Sequence, residues 1–375
     1  MSLQPLQPLA QTRILSLALN LPGPAALLRC RDMGAECTKL EPPAPAGHAS
    51  ADPMAVYCAP AYAQMHEGVR VLQAHLKTPE GQAALHTELE RSDVLITSFR
   101  PSALAKLGLG WDALQARYPR LSLVRIVGAA GARAEEAGHD LTYQAEAGLV
   151  SSTAMPPSLY ADMGGALVAS EAVLQALLAR ARSGRGVCIE VPLADAAQWL
   201  ALPRHWGLTA PGGDTGGAHA GYRVYPCADG LVALAALEPH FAARLCEAAG
   251  LPPDADPRAA ATHEGVARFV QGQSRAALDA LAQARDIPLY TLNGGACRRK
   301  ARCAAGTPKK GLASSRAPTA TTCFFMCATF AAPVHLPWAW PWCTRKFRSA
   351  AKALAPCRCA PPQPRRPPHR GCGHP

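Results

Sequence analysis

Residues 93–127 read DVLITSFRPSALAKLGLGWDALQARYPRLSLVRIV, and their pattern decides the fold class. Asp93–Thr97 and Leu121–Val127 are short apolar runs of strand length, the second ending at Gly128. Between them, Ser102–Tyr118 carries apolar residues at helical spacing. Continuous apolar runs suit strands covered on both faces, and a helix between two strands returns the chain so that they lie parallel. The stretch therefore predicts β-α-β, and with it an α/β domain on a parallel sheet.

Outward from this unit the same alternation continues. Arg13–Leu21 reads as a first strand. Gly165–Arg182 (GALVASEAVLQALLARAR) reads as a helix of strong helix formers, with basic residues near its end and Gly184 beyond. Val187–Pro192 reads as a strand, followed by a helix from Ala194. Ala210–Gly221 is glycine-rich and reads as a linker. Tyr222–Leu237 reads as a hairpin turning at Asp229-Gly230. Glu238–Leu251 and Gly265–Ala284 read as helices. These segments predict a large α/β domain over 1–209, a linker over 210–221 and a small α+β domain over 222–292.

The net charge of +11 misdescribes most of the chain. Residues 291–375 hold 15 Lys and Arg and no acidic residue, leaving 23 basic and 27 acidic residues before them. Eight of the 14 cysteines and 12 of the prolines fall in the same last 85 residues, where no period of 2 or 3.6 is sustained. Residues 293–375 thus read as an atypical basic Cys/Pro-rich tail. It is either a disordered extension or the product of a shifted reading frame starting near Asn293, since GC-rich codons out of frame yield Ala, Arg, Pro, Gly and Cys. No run approaches the roughly 18 uninterrupted apolar residues of a membrane helix. The first apolar stretch lacks a basic leader, with Arg13 falling too late. A cytoplasmic protein without a membrane partner is expected. The tail's cations would bind polyanions non-specifically, and no specific nucleic-acid partner is expected.

Several residues carry chemistry, each beside a plain structural role. His139 and Asp140, in Gly138–Ala145 (GHDLTYQA), follow the loop after the Leu121–Val127 strand, where α/β sheets place ligands; a helix cap is the plain role. Asp162 precedes the long helix in YADMGG and would ordinarily cap it, but Gly164 and Gly165 could let a substrate approach the backbone. Exposed N–H groups there would hold an oxyanion. Glu238, in LEPHF, stands before Pro239 at a helix start. Arg100 ends the DVLIT strand, where a guanidinium suits a phosphate. Cysteines and histidines show no zinc spacing.

In order and spacing, these segments resemble the class III CoA-transferase, or CaiB/BaiF, family. The resemblance rests on Asn20–Glu41 (NLPGPAALLRCRDMGAECTKLE), Lys77–Gly81 (KTPEG), Asp93–Gly110, Tyr118–Gly128, Gly138–Gly148 and Ser183–Ala197, and covers about Ile14 to Leu292. It implies a Rossmann-like large domain, a smaller domain and two interlocked chains. Asp162 matches the family's catalytic aspartate, a nucleophile in the transferases and an acid/base group in the α-methylacyl-CoA racemases. Ala137-Gly138-His139-Asp140 with Tyr143 matches the racemase AGHDxxY pattern, and Glu238 matches a racemase glutamate beside that histidine. The resemblance implies His139, Asp162 and Glu238 as catalytic, and Lys39, Arg100, Gly138, Asp140, Tyr143, Gly164 and Gly165 as substrate- or CoA-binding. Where the family has NRGK near the CoA phosphates, this chain has His66-Glu67-Gly68-Val69-Arg70.

The activity so implied is racemisation of 2-methylacyl-CoA thioesters by 1,1-proton transfer through an enolate. Its substrate is a coenzyme A thioester, and no metal, flavin or nicotinamide is expected. The alternatives are a CoA-transferase working through an aspartyl intermediate, and an inactive remnant whose altered C-terminus prevents the homodimer.

Overall fold

The computed structural model describes residues 6–293. The expectation about the tail falls on residues outside that range, apart from Asn293. In chain order the elements are β1 (Arg13–Ser16), α1 (Pro22–Asp32), β2 (Glu36–Glu41), α2 (Pro53–Tyr57), α3 (Ala59–Met65), β3 (Arg70–Gln73), α4 (Pro79–Arg91), β4 (Val94–Thr97), α5 (Pro101–Lys106), α6 (Trp111–Arg117) and β5 (Ser122–Val127). They continue with α7 (Asp140–Glu146), α8 (Tyr160–Ser183), β6 (Cys188–Pro192), α9 (Leu193–Leu200), α10 (Leu202–His205), β7 (Tyr222–Cys227), β8 (Gly230–Ala235), α11 (Pro239–Ala248), α12 (Ala260–Gln271), α13 (Arg275–Arg285) and β9 (Leu289–Asn293).

β1 to β6 form one sheet in the order β3-β2-β1-β4-β5-β6, with every pair parallel. This is the doubly wound Rossmann order, in which connections on the two sides of β1 and β4 leave in opposite directions and open a crevice at the strands' carboxyl ends. Side chains alternate across the sheet as strand geometry requires. Ile14, Cys37, Val94, Ile96, Val124 and Ile126 face one core that includes Ala26 and Leu27 of α1 and Ala169 and Val173 of α8. Leu15, Leu40, Leu95 and Leu123 face the other, with Leu85 and Leu89 of α4, Leu104 of α5 and Leu114 of α6. A second sheet, β7-β8-β9, is antiparallel, and its Tyr225, Val232 and Leu234 pack on Leu245, Val266, Val270 and Leu278 of α11 to α13.

Several boundaries differ from the sequence reading. The single helix expected over Ser102–Tyr118 is two, because the chain turns through Leu107–Gly110 with Gly108 at φ +74°. Only glycine adopts that backbone without strain. Gly265–Ala284 likewise divides, at Gly272–Ser274, where Ser274 caps α13 by accepting the Ala277 N–H at 3.2 Å. The hairpin turns at Ala228-Asp229, one residue early: Cys227 pairs with Gly230, and Asp229 Oδ1 is taken by the Arg275 N–H at 2.8 Å. The sequence reading assigned no element to the end of the small domain, where β9 closes the second sheet.

α8 is the longest of the described helices. Over 24 residues it is long and apolar enough, by length and composition, to cross a membrane. Half of its apolar window is buried against α1, α7, α9, β5 and β6, which makes it a core helix of this fold.

Candidate active site

A cleft of about 160 Å³ opens at the carboxyl ends of the central strands, at the point where the sheet reverses direction. Its wall is built from strand ends. Leu19 and Asn20 follow β1, Ser98 to Arg100 follow β4, Gly128 follows β5, and Leu193 follows β6. His139, Tyr143 and Asp162 close it from α7 and α8.

His139 is the N-cap residue of α7, and its N–H donates to Thr142 Oγ1 at 3.1 Å. Its cap position and its position on the cleft coexist; the residue itself is exposed. Asp162 is not the cap the sequence suggested. It is the third residue of α8, whose N-cap is Leu159. Its carboxyl is half-buried, and its pKa is pushed up to about 7, first by loss of solvent and second by the nearby Asp140 charge. A carboxyl that titrates near neutrality can both take and return a proton there.

Tyr143 is buried on the cleft and explains two glycines. A Cβ on Gly128 or Gly138 would overlap the Tyr143 hydroxyl, so the ring occupies space that only glycine leaves open. Burial, then the charge of Asp162, push the Tyr143 pKa up. Arg100 is exposed, stands on the cleft as the N-cap residue of α5, and has no ion pair among the described residues. That leaves its guanidinium open to a phosphate or carboxylate.

Other expected residues lie elsewhere. Gly164 and Gly165 do not line the cleft. A Cβ on Gly165 would overlap Leu193, and one on Gly164 would stand 3.0 Å from Leu200, so the pair lets α9 approach α8. Near Asp162 two donors are taken: the Asp162 N–H donates to Asp140 Oδ1 at 3.0 Å, and the Met163 N–H donates to the Leu159 carbonyl at 2.9 Å. The N–H groups of Tyr160 and Ala161 in α8, and of Asp140 and Leu141 in α7, meet no acceptor among the described residues. Asp140 is itself buried, with its carboxylate turned to these structural bonds. Glu238 is exposed at the N-cap of α11, off the cleft.

Lys39 is the largest correction. Expected to touch CoA, it is fully buried. Its ammonium is paired with Asp52 and with Glu41 at 3.3 Å, bonded to His66 Nε2 at 3.1 Å and set 5.0 Å from the Tyr62 ring centre. Because Lys39 Nζ can only donate, His66 Nε2 accepts, and His66 Nδ1–H donates to the Tyr62 carbonyl at 2.7 Å. The cluster reaches the cleft indirectly. Asp52 Oδ1 accepts the Asn20 N–H at 3.0 Å, holding Asn20 at φ +66° on the cleft wall. Asn20 was missed in the sequence reading; an asparagine between a strand end and Leu-Pro was its one local sign, since Asn tolerates the left-handed region.

The sheet has parallel Rossmann order, and its switch-point cleft carries the titratable side chains of His139 and Asp162. The chain belongs to CoA-transferase family III, whose model matches residues 9–294. It is 31% identical over 281 residues to succinate–glutarate CoA-transferase of Agrobacterium fabrum, covering 68% of this chain and 70% of that protein. It is 32% identical over 252 residues to human α-methylacyl-CoA racemase, covering 62% of each. Among solved structures, a hypothetical protein from Mycobacterium tuberculosis superposes with a TM-score of 0.66 at 24% identity, over 76% of this chain and 84% of that one. A CaiB/BaiF family protein from Brucella suis gives 0.63 at the same identity and coverage. Transferases and racemases are thus matched about equally.

Proposed function

We propose that this chain racemises 2-methylacyl-CoA thioesters. The single observation that carries the reading is that His139 and Asp162 line one cleft. Racemisation needs two groups of suitable proton affinity about one carbon. One removes the α-proton as the electron pair moves onto the thioester oxygen; the other delivers a proton to the opposite face as the pair returns. A free aspartate titrates at about 3.9; burial, and then the Asp140 charge, push Asp162 up to about 7. Arg100, on the cleft, serves the thioester's anionic portion. The thioester itself supplies the acidity, so no other cofactor takes part.

The active form is a homodimer. Trp199, Leu200, Trp206 and Leu208 of the α9–α10 region stand exposed, as do Met163 and Leu167 of α8. Apolar surface of this extent suits a partner. Glu238 lies off the cleft of its own chain, so a role beside His139 belongs to the second copy.

Incubation of one enantiomer of a 2-methylacyl-CoA in deuterium oxide tests the reading. Loss of optical purity with α-deuteration is expected. CoA exchange to a free acid without deuteration would establish the transferase reading instead, with Asp162 as nucleophile. Neither activity in a folded protein would leave the inactive remnant.

A further inference from the structure

The two proposed acid/base groups sit on different helices, and one buried carboxylate joins them. Asp140, next to His139 in sequence, is 5% exposed and off the cleft. Its Oδ1 accepts the Asp162 N–H at 3.0 Å. Its Oδ2 accepts from Gln144 Nε2, and Gln144, also buried, donates to the Ser158 carbonyl at 3.1 Å just before α8. One turn of α7 thereby holds both the first turn of α8 and the loop that enters it.

We propose that Asp140, with Gln144, is a positioning residue that fixes Asp162 relative to His139. The inference rests on the reading of His139 and Asp162 as the proton-transfer pair. The same carboxylate places a buried negative charge beside Asp162 and helps hold its proton. Around Asp162, the cleft presents His139 and Tyr143 from α7, Arg100 after β4 and Glu136 from the preceding loop. α9 presents Leu193 and α1 presents Pro22. His139, Arg100 and Glu136 are exposed and screened, whereas Asp140 is buried and close.

Asp140→Asn and Asp140→Ala separate the two effects. Asparagine keeps an oxygen for the Asp162 N–H. Its amide presents N–H where Gln144 Nε2 found an acceptor, and turning the Gln144 amide over to meet it gives up the Ser158 carbonyl. D140N therefore keeps the Asp162 contact and removes the charge. Asp140→Ala and Gln144→Leu remove the connection.

The test follows the Asp162 carboxyl by NMR in protein labelled with ¹³C-carboxyl aspartate, its signal assigned by loss in D162N, alongside steady-state kinetics. In D140N the Asp162 midpoint is expected to fall by about one pH unit. In D140A and Q144L, kcat is expected to fall on the order of 10²-fold with KM within twofold, as for a displaced catalytic group. An unmoved Asp162 midpoint in D140N overturns the electrostatic part. Unchanged kcat in folded Q144L overturns the positioning part, even where D140A fails to fold. The carboxyl titration reads Asp162 whichever reaction the cleft performs, so a failed racemase assay and a failed positioning role remain distinguishable.

Discussion

Replacing Lys39 by methionine separates a buried structural cation from a CoA-contacting one. Lys39, Asp52 and Glu41 are 0%, 0% and 1% exposed. In the native protein the ammonium lies between two carboxylates. Asp52 also accepts the N–H groups of Asn20 and Met54, each at 3.0 Å. Methionine matches the side-chain length but leaves both carboxylates buried without a counter-charge. Loss of one partner from a buried pair costs about 3–5 kcal/mol. For a domain of 150–250 residues, each kcal/mol lowers Tm by about 2–4 °C, so K39M should melt on the order of 10 °C early. Asp52→Asn should cost less, about 1–2 kcal/mol. It keeps an oxygen for the two backbone N–H groups and leaves Lys39 with Glu41. Urea denaturation at pH 7.5, with thermal melts beside it, measures both. A K39M protein of native Tm with a raised KM for acyl-CoA would refute the structural assignment and restore Lys39 to the CoA site.

Three further outcomes are expected. The rate of racemisation should fall as pH drops through about 7, because the raised Asp162 pKa removes the carboxylate base there, and D162N should abolish racemisation; a pH profile of kcat and the optical purity of the product check the two. Burial and then the Lys39 charge lower the pKa of His66, so its stabilising contribution is present above about pH 6.5 and is lost as pH falls through its folded value. His66→Gln, which can still accept from Lys39, should flatten that part of the Tm-against-pH curve relative to wild type. Gly128→Ala and Gly138→Ala should each cost about 1–3 kcal/mol by crowding Tyr143. Tyr143→Phe should rescue only the first, because a Cβ on Gly138 would also meet ring carbons at 2.7 Å, whereas at Gly128 the nearest ring carbon is 3.1 Å away. Denaturation of the single and double variants reads the difference.

The parallel sheet was legible because DVLIT and LSLVRIV are buried on both faces, and such strands show themselves as unbroken apolar runs. The break between α5 and α6 was hidden because Leu104, Leu107, Trp111, Leu114 and Tyr118, three and four residues apart, pack on the same core, which preserves a helix-like period across the Gly108 turn. At the site, His139 and Asp162 were selected by motif order, not by local chemistry, and both proved to line the cleft. Gly164, Gly165 and Lys39 were misjudged for a common reason. A glycine that admits a helix looks like one that admits a ligand, and a lysine in a buried pair looks like one in solvent. The distinguishing contacts, Leu193 and Asp52, lie 28 and 13 residues away in sequence.

α8 also bears on how the chain is made. It leaves the ribosome as an apolar segment whose covering is only partly synthesised. α1 and β5 already exist, but β6 and α9 lie within the next 17 residues, Gly184–Leu200. At about 5–20 residues per second that interval lasts about 1–3 s. During it the Gly164–Gly165 face has no helix against it. The packing of this helix therefore depends on the timing of translation as well as on the finished fold.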